Sequence, residues 1–317
     1  MRLVASLALI LALGAGATVW RAAAVTRTAE AAFPPEGQFV TVNGAQVHAV
    51  VAGTGPDVVL IHGASGSARD FTFSLLPRLA RDYRVIAFDR PGFGWSDAIS
   101  GGEALAPQAT TLADAARLLG AERPVVVGHS YGGAVALNWA VTRPDDISAL
   151  VLLASPSHEW EGGLPLYYQL TSPPLAGRVA RTLIEAWVPE RLVVGGTRAV
   201  FAPDAMPAGY PGHFGPRMSL RENTARVNAR QRAILKDQIR AMVPAYPVID
   251  IPVEILHGAA DATVFADIHS KRLATEVEQA VLHMLPGHGH MIQHTAEDEV
   301  VAAISRAVAR AARGPDN

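Results

Sequence analysis

The stretch VVVGHSYGGAVALNWAV, residues Val125–Val141, decides which fold and which chemistry the rest of the chain can support. Its valine run is typical of a strand buried on both faces, and a helical pattern follows the turn around Ser130. A sharp turn between a strand and a helix lifts the central serine hydroxyl above the carboxyl end of the strand. Gly128 and Gly132 leave room for neighbouring backbone to pack around that turn. Ser130 is therefore a candidate nucleophile.

Composition excludes several classes of protein and of site. The 317 residues suit one large α/β domain with an insertion, and half of them are hydrophobic. A formal net charge of −2 gives no indication of a nucleic-acid partner. The chain has no cysteine, which excludes disulfides, thiolate metal sites, a catalytic cysteine and cysteine lipidation.

The N-terminal segment is more apolar than the rest of the chain. Leu3–Trp20 carries no charge, and as a helix its 18 residues would be about 27 Å long, close to the roughly 30 Å of a bilayer core. This predicts a membrane anchor. One alternative is a signal peptide cleaved at Ala22-Ala23-Ala24 or Ala29-Glu30-Ala31, after which the protein would be exported, and another is a buried or peripheral helix. Arginines on both sides of the run leave its orientation open.

A linker is predicted between this segment and the folded domain, because Pro34-Pro35 stops any helix. Residues 1–37 are thus interpreted as an anchor or signal plus linker. A hairpin around Asn43-Gly44 is expected next. Apolar strands then alternate with helices, with strands at 57–63, 83–89, 124–128, 147–154, 253–258 and 280–286 and helices near 67–81, 108–119, 131–142, 264–277 and 296–312.

This alternation predicts an α/β fold with a mostly parallel sheet of the eight-stranded type and helices on both faces. The order breaks over residues 156–251, where no buried strand is convincing, so we expect an inserted helical cap between core segments 38–155 and 252–317. Ser219 and Glu222 have capping-box spacing at the start of a helix. Prolines and glycines in Phe201–Pro216 predict a mobile lid loop without regular structure.

A serine needs a base and an orienting acid, and both are expected in loops after later strands. Asp261 follows the strand VEILHG, and His290 follows the next strand. Loops at the carboxyl ends of parallel strands share one edge of the sheet, so Asp261 could orient His290 while His290 takes the serine proton. Asp267 is the alternative acid and His288 the alternative base.

Two backbone N–H groups are predicted to stabilise a developing oxyanion. One belongs to Tyr131, which follows the nucleophile, and the other to Ala64, in the loop after the first buried strand. Each such donor is worth about 3–4 kcal/mol. His62, His129 and His257 are expected to make local hydrogen bonds that order their loops.

Five sequence blocks carry a resemblance over residues 38–312: LIHGASG, FDRPGFGWSD, VVGHSYGGAVAL, ILHGAADATV and LPGHGHM. Because these blocks occur in this order, the chain resembles an α/β-hydrolase of the capped esterase, lipase and epoxide-hydrolase branch. Epoxide hydrolases and haloalkane dehalogenases of that branch use an aspartate nucleophile, so Ser130 argues against both activities. DRPGFGWSD is interpreted as a structural turn beside the mouth of the site.

The resemblance implies a serine hydrolase that cleaves carboxylic esters or related acyl compounds through an acyl-enzyme, without a cofactor. Carbon–carbon bond hydrolase, lactonase, perhydrolase and acyltransferase activities remain alternatives, as does a member that binds its ligand without turnover. No metal site is expected, because no carboxylate or cysteine spacing completes a site with His288, His290 and His294.

The substrate is expected to be a small apolar ester or acyl compound bound under the cap. Aromatic residues of the cap could line its pocket: Trp160, Tyr167, Tyr168, Trp187, Phe201, Tyr210 and Phe214. The segment Arg217–Arg240 holds seven basic residues, which predicts a solvated helix face. The alternative for this segment is contact with anionic lipid headgroups at a membrane surface.

Overall fold

In a computed structural model, which describes residues 1–313, the chain is built around a twisted sheet of eight strands. The strands are β1 (Gln38–Val42), β2 (Ala45–Ala52), β3 (Asp57–Ile61), β4 (Arg84–Phe88), β5 (Val125–His129), β6 (Ala149–Leu153), β7 (Val253–Gly258) and β8 (Ala280–Leu285). Their order in the sheet is β1-β2-β4-β3-β5-β6-β7-β8. The β1–β2 and β2–β4 pairs are antiparallel and the other pairs are parallel, which confirms the predicted α/β fold class.

The helices lie on both faces of the sheet and at the N-terminus. They are α1 (Arg2–Ala32), α2 (Arg69–Thr72), α3 (Leu75–Leu79), α4 (Leu105–Leu118), α5 (Tyr131–Thr142), α6 (Leu166–Thr171), α7 (Pro174–Trp187), α8 (Glu190–Val200), α9 (Tyr210–Phe214), α10 (Glu222–Met242), α11 (Ser270–Glu276), α12 (Ile292–Thr295) and α13 (Glu297–Arg313). Short 3-10 turns occupy Pro144–Asp146, Pro216–Leu220 and Val243–Val248.

Two core helices differ from their predicted extents. The stretch predicted as one helix over 67–81 is split into α2 and α3, because Ser74 between them has an extended φ of −148°. The helix predicted from 264 begins only at Ser270. The carboxylate of Asp261 accepts hydrogen bonds from the backbone N–H groups of Thr263 and Val264, and these bonds hold that stretch in a turn.

The central strands are buried because each of their faces packs against helices. On β5, the side chain of Val126 joins the core cluster that contains Leu112 of α4. Its neighbours Val125 and Val127 join the cluster on the opposite face, which contains Ile304 of α13. Burying one such side chain contributes about 1.5–3 kcal/mol, so the unbroken valine run stabilises both layers at once.

The hairpin between β1 and β2 has the predicted turn. Asn43 and Gly44 adopt φ angles of 49° and 84°. Positive φ at both central residues is characteristic of a type I′ turn, which matches the twist of the flanking strands.

Between β6 and β7 the chain forms α6 to α10, and we call residues 156–251 the insert. The prediction of an irregular Phe201–Pro216 is wrong in part, because α9 forms there between Gly209 and Gly215, both in the left-handed region. The capping-box prediction is also wrong. The hydroxyl of Ser219 donates to the carbonyl of Pro216 inside the 3-10 turn, and α10 begins at Glu222 with Arg221 as its N-cap.

None of the seven basic residues in the basic segment of the insert is buried, which agrees with the predicted solvated face. Several of its cations are engaged by protein groups, because acidic and carbonyl oxygens lie opposite them. The pairs are Arg217 with Glu190, Arg221 with Glu30, Arg240 with Glu159, and Lys236 with the carbonyl of Gly162.

Helix α1 is longer than the predicted apolar run, since the stretch from Arg21 to Ala32 is helical and not a linker. Alanine-rich sequence favours helix, and Ala22 and Ala29 are buried where α1 packs against α7. Pro34-Pro35 follow the end of the helix, as expected. Among residues 1–313, α1 is the one helix long and apolar enough to cross a membrane, a property that signal sequences share.

Substituting Gly128 should test how closely β5 packs against the turn that follows it. A Cβ at this position would lie 2.5 Å from the carbonyl oxygen of Gly132, which is backbone and cannot move aside cheaply. We expect Gly128→Ala to lower the free energy of unfolding by about 1–3 kcal/mol in urea titrations.

Gly163→Ala is the matched control for this substitution, because no heavy atom of the described chain lies within 4 Å of its would-be Cβ. Its effect should stay within about 0.5 kcal/mol. Equal effects of the two substitutions would contradict the close packing of the turn.

Candidate active site

Ser130 occupies a strained turn between β5 and α5. Its φ and ψ are 51° and −123°, a combination that costs a non-glycine residue about 1–3 kcal/mol. The turn is held by hydrogen bonds from the N–H of Ser130 to the carbonyl of Leu153, at 2.9 Å, and from the N–H of Gly133 to the carbonyl of Ser130, at 2.8 Å. The side chain of Ser130 lines a cavity of about 460 Å³ at the carboxyl edge of the sheet.

His290 and Asp261 form a buried hydrogen-bonded pair in the loops after β8 and β7. Nδ1 of His290 lies 2.7 Å from Oδ2 of Asp261. The other carboxylate oxygen accepts from the N–H groups of Thr263 and Val264, at 2.7 and 3.0 Å. Burial works to raise the pKa of Asp261, but hydrogen bonds from His257 and His290 outweigh burial and hold that pKa well below its ordinary value. The carboxylate therefore stays charged beside the imidazole.

The structure places Ser130 and His290 in the same cavity. Their side chains are not hydrogen-bonded to each other, and Nδ1 of His290 bonds to Asp261 instead. Bonds between a nucleophile and its base are often long before a substrate binds and tighten in the productive complex. With Nδ1 donating to Asp261, the Nε2 atom of His290 is left as the basic nitrogen.

The alternative base and acid have other partners. Nδ1 of His288 lies 3.1 Å from a carboxylate oxygen of Asp204, and Asp267 forms an exposed ion pair with Lys271. Two of the three histidines predicted to bond locally do so, since His62 contacts the carbonyl of Gly63 and His257 that of Val264. The prediction is wrong for His129, which contacts the carbonyl of His290, 161 positions away.

The two predicted oxyanion donors lie beside Ser130. Ala64 lines the same cavity, and a Cβ on Gly63 would be only 3.1 Å from the Cβ of Ser130, so the loop after β3 approaches the serine closely. Tyr131 is the first residue of α5, where backbone N–H groups have no acceptor within the helix. Within residues 1–313, neither the N–H of Ala64 nor that of Tyr131 donates a hydrogen bond.

A buried guanidinium fixes the loop that carries Ala64. Arg90, in the turn after β4, donates from Nε to the carbonyl of His62 at 2.9 Å and from Nη2 to the carbonyl of Gly63 at 3.0 Å. Nη1 donates to the side-chain oxygens of Gln108 in α4 and Gln231 in α10, at 2.8 and 2.7 Å. Arg90 thereby joins the loop after β3 to the core and to the insert.

Aromatic rings complete the surroundings of Arg90. Its guanidinium carbon lies 4.4 Å from the ring centroid of Tyr131 and 4.3 Å from that of Phe93. Burial lowers the pKa of Arg90 to about 10, so it remains a cation at neutral pH. The turn DRPGFGWSD is therefore structural, as its sequence predicts, and its arginine also sets the position of the cavity wall.

A second buried carboxylate, Asp70, lies beside the cavity and has no signature in the sequence beyond its place after β3. Tyr210 of α9 donates its hydroxyl to Oδ1 of Asp70 at 2.6 Å, and Nε2 of His294 lies 2.8 Å from the same oxygen. The amide of Gln293 donates to Oδ2 at 3.0 Å. Burial works to raise the pKa of Asp70, yet the hydrogen bond from His294 and the further contacts hold it far below its ordinary value.

This carboxylate is linked through side chains to the backbone of His290. The same amide nitrogen of Gln293 lies 3.3 Å from Nδ1 of His129, and Nε2 of His129 lies 3.1 Å from the carbonyl oxygen of His290. The rings of His129 and His290 are 4.9 Å apart. We call Asp70, Gln293, His294, His129 and Tyr210 the Asp70 network. It holds the backbone of His290, whereas Asp261 holds the side chain.

The roof of the cavity comes from the insert. Residues of α7 to α9 line it, with Ile184, Leu192, Val193 and Val200 among the apolar ones. Of the aromatic residues predicted to line a pocket, three do so: Tyr167, Tyr210 and Phe214. The others lie elsewhere, as with Phe201, which is buried against Tyr210, and Trp187, which is exposed on the outer surface.

The free energy of unfolding should depend on pH through His129 of the Asp70 network. Burial holds the pKa of this imidazole at about 3, against an ordinary value of 6.5. Below about pH 6.5 the unfolded chain takes up a proton that the folded chain does not, so this histidine makes stability fall as the pH drops towards 3.

In His129→Asn the free energy of unfolding should therefore fall less steeply between about pH 6 and pH 4, by up to about 1.4 kcal/mol per pH unit. Urea unfolding at a series of pH values measures the slope. Parallel curves for the wild type and the variant would show that His129 is not held neutral.

Comparison with known proteins identifies the family. The model of the alpha/beta hydrolase family matches residues 58–303. An uncharacterised protein of Mycobacterium tuberculosis is 28% identical over 275 residues, which cover 82% of this chain and 77% of that protein. Haloalkane dehalogenase 2 of the same organism is 27% identical over 282 residues, covering 86% of this chain and 94% of the dehalogenase.

Solved structures agree in fold. A thermophilic esterase from Thermogutta terrifontis superposes with a TM-score of 0.66 at 20% identity, covering 87% of this chain and 99% of the esterase. The matched residues include the strands and loops that carry Ser130, Asp261 and His290. The chain belongs to the alpha/beta hydrolase family, and its fold is that of a hydrolase.

Proposed function

We propose that the protein is a serine hydrolase that cleaves carboxylic esters or related acyl compounds through an acyl-enzyme on Ser130. One arrangement carries the proposal. Ser130 stands in a strained turn and shares a cavity with His290, whose Nδ1 is 2.7 Å from a buried carboxylate. This combination supplies a nucleophile, a base with a free Nε2, and an acid that fixes the tautomer of the base.

The reaction follows from these positions. Ser130 attacks the acyl carbon while Nε2 of His290 takes the hydroxyl proton, and the charge on the carbonyl oxygen is stabilised by the N–H groups of Ala64 and Tyr131. His290 returns the proton to the leaving alcohol. Water, deprotonated by the same imidazole, then attacks the acyl group, and His290 returns that proton to the oxygen of Ser130 as the acid leaves. These steps need only the chain's own residues and water.

We assign the insert the role of a cap that selects the substrate. Its apolar side chains cover the cavity, and about 460 Å³ is enough for a medium-sized acyl group. The lining favours an apolar acyl or alcohol part, since most of the insert residues that line the cavity are apolar. Lactones, carbon–carbon bonds, peracids and acyl acceptors other than water would use the same residues, and a substrate panel distinguishes them.

We further propose that α1 is a retained membrane anchor and not a cleaved signal. Its second half is part of the fold, because Nε of Arg21 donates to the carbonyl of Ala186 at 2.7 Å and Glu30 pairs with Arg221 at 2.9 Å. The indole N–H of Trp95 donates to the carbonyl of Phe33 just after the helix. Cleavage at either candidate site would remove some of these contacts.

A fluorophosphonate probe tests the nucleophile directly. It should label the wild-type protein in proportion to the protein present, because an activated serine attacks the phosphorus atom. Ser130→Ala should abolish labelling. Ser219→Ala is the matched control, since Ser219 lines the same cavity but donates its hydroxyl to the carbonyl of Pro216, and this variant should label like the wild type. An unlabelled wild type would overturn the proposed function.

A further inference from the structure

The outer surface of the insert carries an exposed apolar stripe. On α7, Leu175, Val179, Leu183 and Trp187 recur every four residues and are 84%, 61%, 48% and 53% exposed. On α6, Leu166 and Leu170 show the same spacing and are also exposed. We call these six residues the α6–α7 stripe. Contiguous exposed apolar surface of this kind marks an interaction site with a partner or a membrane.

The stripe ends where α1 meets the insert. The indole N–H of Trp187 donates to the hydroxyl of Thr18 at 3.3 Å. The guanidinium of Arg21 lies 4.8 Å from the Trp187 ring and donates to the carbonyl of Ala186. The C-terminal end of α7 is therefore at the level where the uncharged run Leu3–Trp20 stops.

This level coincides with the surface of a bilayer that α1 would span. The uncharged run of α1 is about 27 Å long, close to the thickness of the hydrocarbon core, and its side chains are exposed. Tryptophans and arginines favour the membrane–water interface, and this run ends at Trp20 and Arg21, with Trp187 packed against Arg21. Contacts with Thr18 and Arg21 hold the C-terminal end of α7 at that level, and an amphipathic helix that meets the boundary of headgroups and acyl chains buries its apolar face there.

Helix α8 separates the catalytic cavity from the side facing α1. Its residues Leu192 and Val193 line the cavity that contains Ser130. Its residue Val194 lines a second cavity of about 690 Å³, together with Trp20 and other residues of α1. All of α8 is described by the structure, and none of its residues is fully buried. The wall between the anchor side and the nucleophile is thus one amphipathic, loosely covered helix.

We propose that the α6–α7 stripe rests in the lipid bilayer beside α1, and that the substrate is a membrane-dissolved ester whose acyl chain reaches Ser130 past α8. The proposed lipid contact depends on the exposed stripe and on the position of α1, whereas the proposed substrate class rests on the proposed function. The stripe itself is apolar, and Arg217, Arg221 and Arg240 of the neighbouring basic segment are engaged by acidic side chains of the chain itself. We therefore expect the stripe to bind vesicles of zwitterionic lipid as well.

Spin labels test the lipid contact without reference to activity, and the natural absence of cysteine makes single labels simple to introduce. Val179→Cys and Leu183→Cys would each carry a nitroxide in the full chain reconstituted into phosphatidylcholine vesicles. Leu118→Cys on α4 is the matched control, because Leu118 is 62% exposed but lies away from the stripe. We expect oxygen to relax the stripe labels several-fold more than a water-soluble nickel chelate does. At Leu118→Cys we expect the nickel chelate to relax the label more than oxygen does.

Two outcomes of this experiment would overturn the lipid contact. Stripe labels that are as accessible to nickel as the control label would place the stripe in water. A second copy of the chain would be shown to cover the stripe if its labels were shielded from both oxygen and the nickel chelate and if their spectra were broadened by the label on a neighbouring copy.

Turnover tests the route of the substrate. The variant with Leu175→Gln, Val179→Thr and Leu183→Gln should hydrolyse a long-chain monoacylglycerol dissolved in the vesicles about tenfold more slowly than the wild type, because interfacial contact scales with apolar area. Its rate on a short water-soluble ester should be unchanged. Equal losses on both esters would overturn entry from the bilayer. Failure of the wild type on both esters would instead overturn the proposed function and leave the spin-label result standing.

Discussion

The site depends on one buried cation, the guanidinium of Arg90. It has no carboxylate of residues 1–313 within ion-pair distance, so its burial is offset by hydrogen bonds to neutral oxygens and by the faces of Tyr131 and Phe93. A guanidinium is planar and has five N–H donors, so it can donate to four such acceptors at once, whereas a lysine ammonium has only three donors. Because two of these acceptors are the carbonyls of His62 and Gly63, the guanidinium fixes the backbone that presents the N–H of Ala64.

The insert is tied to the site through polar contacts and not through apolar packing alone, and two of these contacts reach buried charged groups. Gln231 of α10 accepts from Arg90, and Tyr210 of α9 donates to Asp70. The Asp70 network continues to the backbone of His290, so a movement of α9 would disturb the loop that holds the proposed base. Helix α8 lacks such a tie to either charged group in the described chain, which leaves it the more easily displaced part of the roof.

The sequence predicted what depends on local pattern. Runs of valine and leucine predict buried strands, and the loops after parallel strands share one edge of the sheet. Ser130, Asp261 and His290 can therefore be named as candidate site residues from the sequence. Asp70 cannot, because its partners Tyr210 and His294 are 140 and 224 positions away and no spacing encodes such contacts. The capping box failed for a related reason, since Ser219 bonds inside a 3-10 turn whose start is fixed by Gly215.

Transfer of an acyl group to Ser130 can be measured by rapid mixing with p-nitrophenyl butyrate. We expect a burst of nitrophenol close to one equivalent of protein if deacylation is the slower step, and a butyryl increase in the mass of the quenched protein on the peptide that contains Ser130. A butyryl mass on an aspartate, or steady turnover that survives Ser130→Ala, would contradict it.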